Sequence, residues 1–138
     1  AVTTRKQVEP DTPERPEQNA ENLLRLIAES YRNGDHEAVC RQADAALESG
    51  PEQLRVRLYR ARSLLALGRY SSAIPDLTHL IEQAPPRSEL FLLRAAACYG
   101  SSRYEEALQD YRSAQELDPA SREAREGMLR IQEETGLK

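Results

Sequence analysis

Residues 102–107 read Ser102-Arg103-Tyr104-Glu105-Glu106-Ala107, and stretches of the same kind stand at Gly68-Arg69-Tyr70-Ser71-Ser72-Ala73 and Gly34-Asp35-His36-Glu37-Ala38-Val39. Each begins 34 residues after the one before it. Pro51, Pro85 and Pro119 keep the same 34-residue spacing independently. A self-similar period of this length marks a chain built by stacking one supersecondary unit, each copy too small to bury its apolar face alone.

Repeat units set at 20–53, 54–87 and 88–121 let the chain be read column by column. Position 8 holds Ile27, Ala61 and Ala95, and position 20 holds Val39, Ala73 and Ala107, side chains of the modest size that close helix contact requires. Position 24 (Ala43, Leu77, Tyr111) and position 27 (Ala46, Leu80, Ala114) add an apolar stripe at helical spacing to the second helix of each unit. The glycine or serine at position 15 suits a turn with positive φ, and the proline at position 32 cannot continue a helix. Two columns depart from this regularity: Ser30 and Cys98 stand at position 11, and Arg60 and Arg94 at position 7. Pro75 falls inside the second helix of the middle unit and predicts a kink or a late helix start there. Residues 122–138 are read as a capping helix and tail. Met128, Leu129 and Ile131 form the cap's apolar side and cover the flank that the last repeat would otherwise expose. Residues 1–19, with Pro10, Pro13 and Pro16 among alternating charges, read as a disordered leader or linker.

The composition agrees with an all-α chain of 138 residues: one phenylalanine, no tryptophan, and many alanines, leucines, arginines and glutamates. The formal net charge of -4 gives no general attraction to nucleic acid or to an anionic membrane, and no apolar run is long enough to span a bilayer. Neither nucleic-acid binding nor membrane insertion is expected. Cys40 and Cys98 occupy different columns with no paired spacing and read as packed, reduced thiols. His36 and His79 are the only histidines, and neither has a metal-ligand or catalytic-triad spacing to a partner; His36 is read as a packing residue and His79 as solvent-facing. Adjacent carboxylates such as Glu105-Glu106 and Glu133-Glu134 diverge on a helix, and the glycines punctuate turns rather than build a phosphate loop. No catalytic residue, metal or cofactor is expected, and the chain is read as a non-enzyme.

With these columns, residues 20–138 resemble the tetratricopeptide-repeat (TPR) family. The resemblance implies a right-handed superhelix of three helix-turn-helix repeats plus a C-terminal capping helix. The runs Ala73-Ile74-Pro75-Asp76-Leu77-Thr78 and Tyr104-Glu105-Glu106-Ala107-Leu108-Gln109-Asp110-Tyr111, with Arg125-Glu126-Gly127, are similar to the repeats of lumenal J-domain co-chaperones. The His-Pro-Asp tripeptide of a J domain is absent, so J-domain activity is not carried over. Cytoplasm is the favoured compartment, with the endoplasmic reticulum lumen implied by the co-chaperone resemblance.

The family's superhelix implies a concave face lined by positions 2, 5, 6, 9, 12 and 13 of each first helix. Here these are Leu24, Arg25, Ala28, Tyr31 and Arg32; Arg55, Leu58, Tyr59, Arg62 and Leu65; and Leu92, Leu93, Ala96 and Tyr99. A common subclass clamps the acidic C-terminal tails of heat-shock chaperones with lysine, asparagine and arginine at five positions. This chain has Leu24, Ala28, Tyr59, Glu89 and Leu93 there, so no clamp is expected. Arginine forks and tyrosine faces predict instead a protein or peptide ligand with apolar and acidic side chains. The bland reading pairs the arginines with glutamates such as Glu21 and Glu29 on a solvated face. Two other functions stay open: holdase-like co-chaperone binding of unfolded clients at Leu92, Leu93 and Ala96, and homo-oligomerisation as part of a larger assembly.

Overall fold

The computed structural model describes residues 16–50 and 53–138, which form seven helices: α1 (Pro16–Arg32), α2 (His36–Ser49), α3 (Leu54–Ala66), α4 (Tyr70–Gln83), α5 (Ser88–Gly100), α6 (Tyr104–Leu117) and α7 (Arg122–Thr135). They pair as antiparallel hairpins, α1 with α2, α3 with α4 and α5 with α6, and α7 lies against α6. The architecture is an all-α helical-repeat superhelix.

The hairpin turns are one structure made three times. Gly34 and Gly68 both have φ 76° and Ser102 has φ 63°, so position 15 is left-handed in every unit, including the one without glycine. The Asp35, Arg69 and Arg103 amides donate back to the Ser30, Leu64 and Cys98 carbonyls at 2.9, 2.8 and 2.7 Å. The Gly34, Gly68 and Ser102 amides donate to Tyr31, Leu65 and Tyr99 carbonyls, each at 3.0 Å. This double closure satisfies the last carbonyls of the first helix and reverses the chain in three residues. Position 11 is therefore a backbone acceptor in the turn, a role that serine, leucine and cysteine perform equally.

Packing follows the columns. Ile27, Ala61 and Ala95 are fully buried against Val39, Ala73 and Ala107 within their own units, as are Ala43, Leu77, Ala46 and Ala114 on the second helices. Positions 3 and 10 of the first helices face the preceding unit instead: Val56, Leu90 and Ala124 are buried, and so are Ser63, Ala97 and Ile131. The core is thus three successive clusters along the stack. The cap obeys the same rule. Ala124, Gly127 and Ile131 meet α6, Met128 is half-buried, and Leu129 is left 51% exposed. The expectation that Leu129 packs inward is corrected: it occupies position 8, whose partner in other units is a following helix of the same hairpin.

Three other expectations are corrected. Helix α1 begins at Pro16, four residues before the first repeat boundary, because proline at the first helical position lacks only an amide that would be unbonded there anyway. The leader reading for residues 1–15, and Pro51, lie outside the described residues. Helix α4 starts at Tyr70 and runs through Pro75 to Gln83, which removes the late start from the two alternatives given for Pro75, a kink or a late start. Pro75 and Ser71 are both exposed, so the helical carbonyl that loses its partner faces water. His79 is half-buried rather than solvent-facing, with its Nε2 out of reach of solvent.

The arginines at position 7 explain their own departure from the pattern. Arg60 donates from Nε and Nη2 to both carboxylate oxygens of Asp76 at 2.7 and 2.8 Å, and from Nη1 to Asp44 at 2.7 Å. Arg94 grips Asp110 the same way at 2.8 and 2.9 Å and reaches Thr78 Oγ1 at 3.1 Å. Each guanidinium fork therefore ties a first helix to the second helices of its own and the preceding unit.

Candidate partner-binding groove

The first helices α1 and α3 lie side by side and enclose a groove of about 600 Å³ lined by Glu21, Leu24, Arg25, Ala28, Arg55, Leu58, Tyr59 and Arg62. Positions 2, 5, 6 and 9 meet there because three- and four-residue steps share a helix face. A smaller and almost wholly apolar slot of about 240 Å³ opens beside it between Ala20, Leu24, Leu54 and Val56, and shares Glu21, Leu24 and Arg55 with the groove.

The groove wall is fixed from behind. Tyr59 meets the Tyr31 ring edge-on at 5.3 Å, and Tyr31 meets His36 at 5.6 Å. His36 Nδ1 is hydrogen-bonded with the buried Ser63 hydroxyl at 2.9 Å. Tyr31 and His36 are thus supports for Tyr59, and His36 packs as its column suggested.

The arginines divide into two kinds. Arg25 and Arg55 are exposed and neither makes an ion pair with a described residue; Arg25 reaches only Asn22 Oδ1, at 3.4 Å. Arg62 is half-buried and ion-paired with Glu89 of α5, which Arg87 also approaches at 3.7 Å. The pairing with Glu21 or Glu29 is not made; the internal partner comes from the next unit. Arg32 is exposed in the last turn of α1, away from the groove lining.

The third unit does not extend this cavity. Leu92 packs on the C-terminal cluster, and Leu65 and Leu93 pack on the central one. Ala96 is half-buried and outside the groove lining. Tyr99 is engaged by α7: its hydroxyl donates to Glu134, 2.6 and 2.7 Å from the two carboxylate oxygens, and the Arg130 guanidinium lies 5.4 Å from its ring centre. The Glu134 acceptor holds the Tyr99 hydroxyl above its ordinary pKa. Reading along the sequence missed this end because the repeat frame was stopped at residue 121. Continued by another period, it places Arg130 and Glu134 at positions 9 and 13, in the same set of columns as Tyr99 at position 12.

On the opposite side, Ile74, Thr78, Phe91, Arg94, Cys98 and Asp110 border a cleft of about 310 Å³ around the second arginine clasp. Burial, aided by Asp110 and Glu106, pushes the Cys98 thiol up to about 11, and burial also raises Cys40. Both are free, buried thiols. Among the described residues no cluster of histidine, cysteine, aspartate or glutamate could hold a metal ion, and no helix is long and apolar enough to cross a membrane.

The tetratricopeptide-repeat family model matches residues 24–86 and again 60–122. The DnaJ homolog subfamily C member 7 homolog of Dictyostelium discoideum is 32% identical over 111 aligned positions, covering 72% of this chain and 21% of that protein. The chain thus spans about a fifth of that relative's length. Among solved structures, a fragment of MamA from Desulfovibrio magneticus RS-1 superposes with a TM-score of 0.82 at 21% identity, over 87% of this chain and 68% of that one. The first TPR of Spaghetti (RPAP3) bound to an HSP90 peptide superposes at 0.78 with 20% identity, over 87% of this chain and 95% of its own.

Proposed function

We propose that this chain, which belongs to the tetratricopeptide-repeat family, holds a peptide or helix of a partner protein in the groove between α1 and α3. The family is one of non-enzymatic protein-interaction scaffolds, so the finer question is which face and which ligand. The observation that carries the reading is the pair of exposed arginines, Arg25 and Arg55, in the lining of a cavity that also presents Leu24, Ala28, Leu58 and Tyr59. A guanidinium that no carboxylate among the described residues engages keeps its fork for a ligand, and Leu24, Leu58 and Tyr59 supply desolvating surface. The ligand is a segment with apolar and acidic side chains, and it is not held by a carboxylate clamp, since Leu24, Ala28, Tyr59, Glu89 and Leu93 stand at the clamp positions.

The test is the double reversal Arg25→Glu/Arg55→Glu. Circular dichroism is expected to stay unchanged because both side chains are exposed, while binding of an acidic-apolar probe peptide measured by fluorescence polarisation is expected to fall at least tenfold. Undiminished binding by the folded variant would reject this face. The name of the Dictyostelium relative favours a second reading, attachment to a chaperone system, in which the same groove serves a co-chaperone. Slowed aggregation of an unfolded model client by the wild type, and not by the double variant, would support it.

A further inference from the structure

We infer that Glu89 sets the specificity of the groove, by standing on Arg62 where a ligand's second carboxylate would otherwise bind. The inference rests on the groove reading above and adds which acidic segments are accepted. Arg62 lines the cavity together with Arg25 and Arg55, yet among the described residues only Arg62 is ion-paired with a carboxylate. That carboxylate comes from the first turn of α5, so the neighbouring repeat fills one of three cationic positions of a groove built by the first two. The apolar slot at Leu24, Leu54 and Val56, bordered by the first turn of α3, shares Glu21 and Arg55 with the groove, whereas Arg62 stands two turns further along α3.

The cavity therefore offers an aliphatic pocket with the Glu21 carboxylate in its lining, two guanidinium groups that make no ion pair with a described residue, then a third one closed by Glu89. A segment with an aliphatic anchor followed by a single carboxylate satisfies all of it. A run of carboxylates places its later charges against Glu89, and like charges in a half-exposed site repel. Both members of the Arg62–Glu89 pair keep partial exposure, 30% and 42%, so the pair can be opened without disturbing the core.

The experiment compares two synthetic peptides of equal length, one with a leucine and a single glutamate, the other with a leucine and three consecutive glutamates, by fluorescence polarisation at low and high salt. For the wild type the singly acidic peptide is expected to bind at least as tightly as the triply acidic one. Glu89→Gln is expected to tighten the triply acidic peptide about fivefold, the upper range for a partly exposed ion pair, and to change the singly acidic one less than twofold. The gain should vanish in 0.5 M salt and in Glu89→Gln/Arg62→Ala. Equal effects of Glu89→Gln on both peptides, or none, would overturn the role of Glu89. Loss of discrimination between wild type and Arg25→Glu/Arg55→Glu would overturn the groove reading instead.

Discussion

At the scale of single residues, the left-handed turn position separates sterics from space. An added Cβ at Gly68 meets nothing within 4 Å, so an alanine there is disfavoured by its φ of 76° alone. Gly68→Ala is expected to lower stability by about 1 kcal/mol, and Ser102→Gly to raise it by about 0.5 kcal/mol after the extra freedom glycine gains in the unfolded chain. Opposite shifts of the denaturant midpoint would show this, and equal signs would refute it. The arginine clasps give a second contrast. Asp76 is 1% exposed and takes three hydrogen bonds from Arg57 and Arg60, whereas the Asp44 side chain is 66% exposed. Asp76→Asn removes the buried carboxylate that Arg57 and Arg60 share and should cost about 3 kcal/mol, against less than ~0.5 kcal/mol for Asp44→Asn. Equal urea midpoints for the two variants would contradict this.

Among the elements, α7 shows what docking demands. A Cβ placed on Gly127 would lie 2.4 Å from the Tyr111 ring, so the helix approaches α6 only because this position has no side chain. Gly127→Leu keeps helix propensity and should still lose about 2–3 kcal/mol by overpacking, with a lowered thermal midpoint; truncation after Pro119 should lose more and promote aggregation. An unchanged melt for both would show that α7 is not a cap. The helices themselves were legible in the sequence because glycine at 34 and 68 and proline at 85 and 119 announce their ends. The helix start at Pro16 and the absence of a late start at Pro75 were missed for one reason. Proline's local rule forbids an internal amide bond, but says nothing when the bond lost is at a terminus or faces water. Leu129 was misread because apolarity alone does not say which of two neighbours a helix faces.

Across the whole molecule, the fold was almost entirely readable and the groove only half so. Columns of small residues repeat every 34 positions, and repetition averages out single exceptions such as Arg60 and Arg94. A groove has no such redundancy. That Arg25 and Arg55 are open, that Arg62 is spoken for by Glu89, and that Glu134 engages Tyr99 depend on contacts between units, which no column records. The charge-reversal and Glu89→Gln experiments both test features of this kind.

Among the described residues the three core clusters follow one another in chain order, and every pair of helices in substantial contact is adjacent along the chain or next but one. Such a chain has a low contact order. No part of its core waits for a distant segment, so each hairpin can find its partner as soon as it is made, and folding should be fast for a protein of this length and able to keep pace with synthesis on the ribosome.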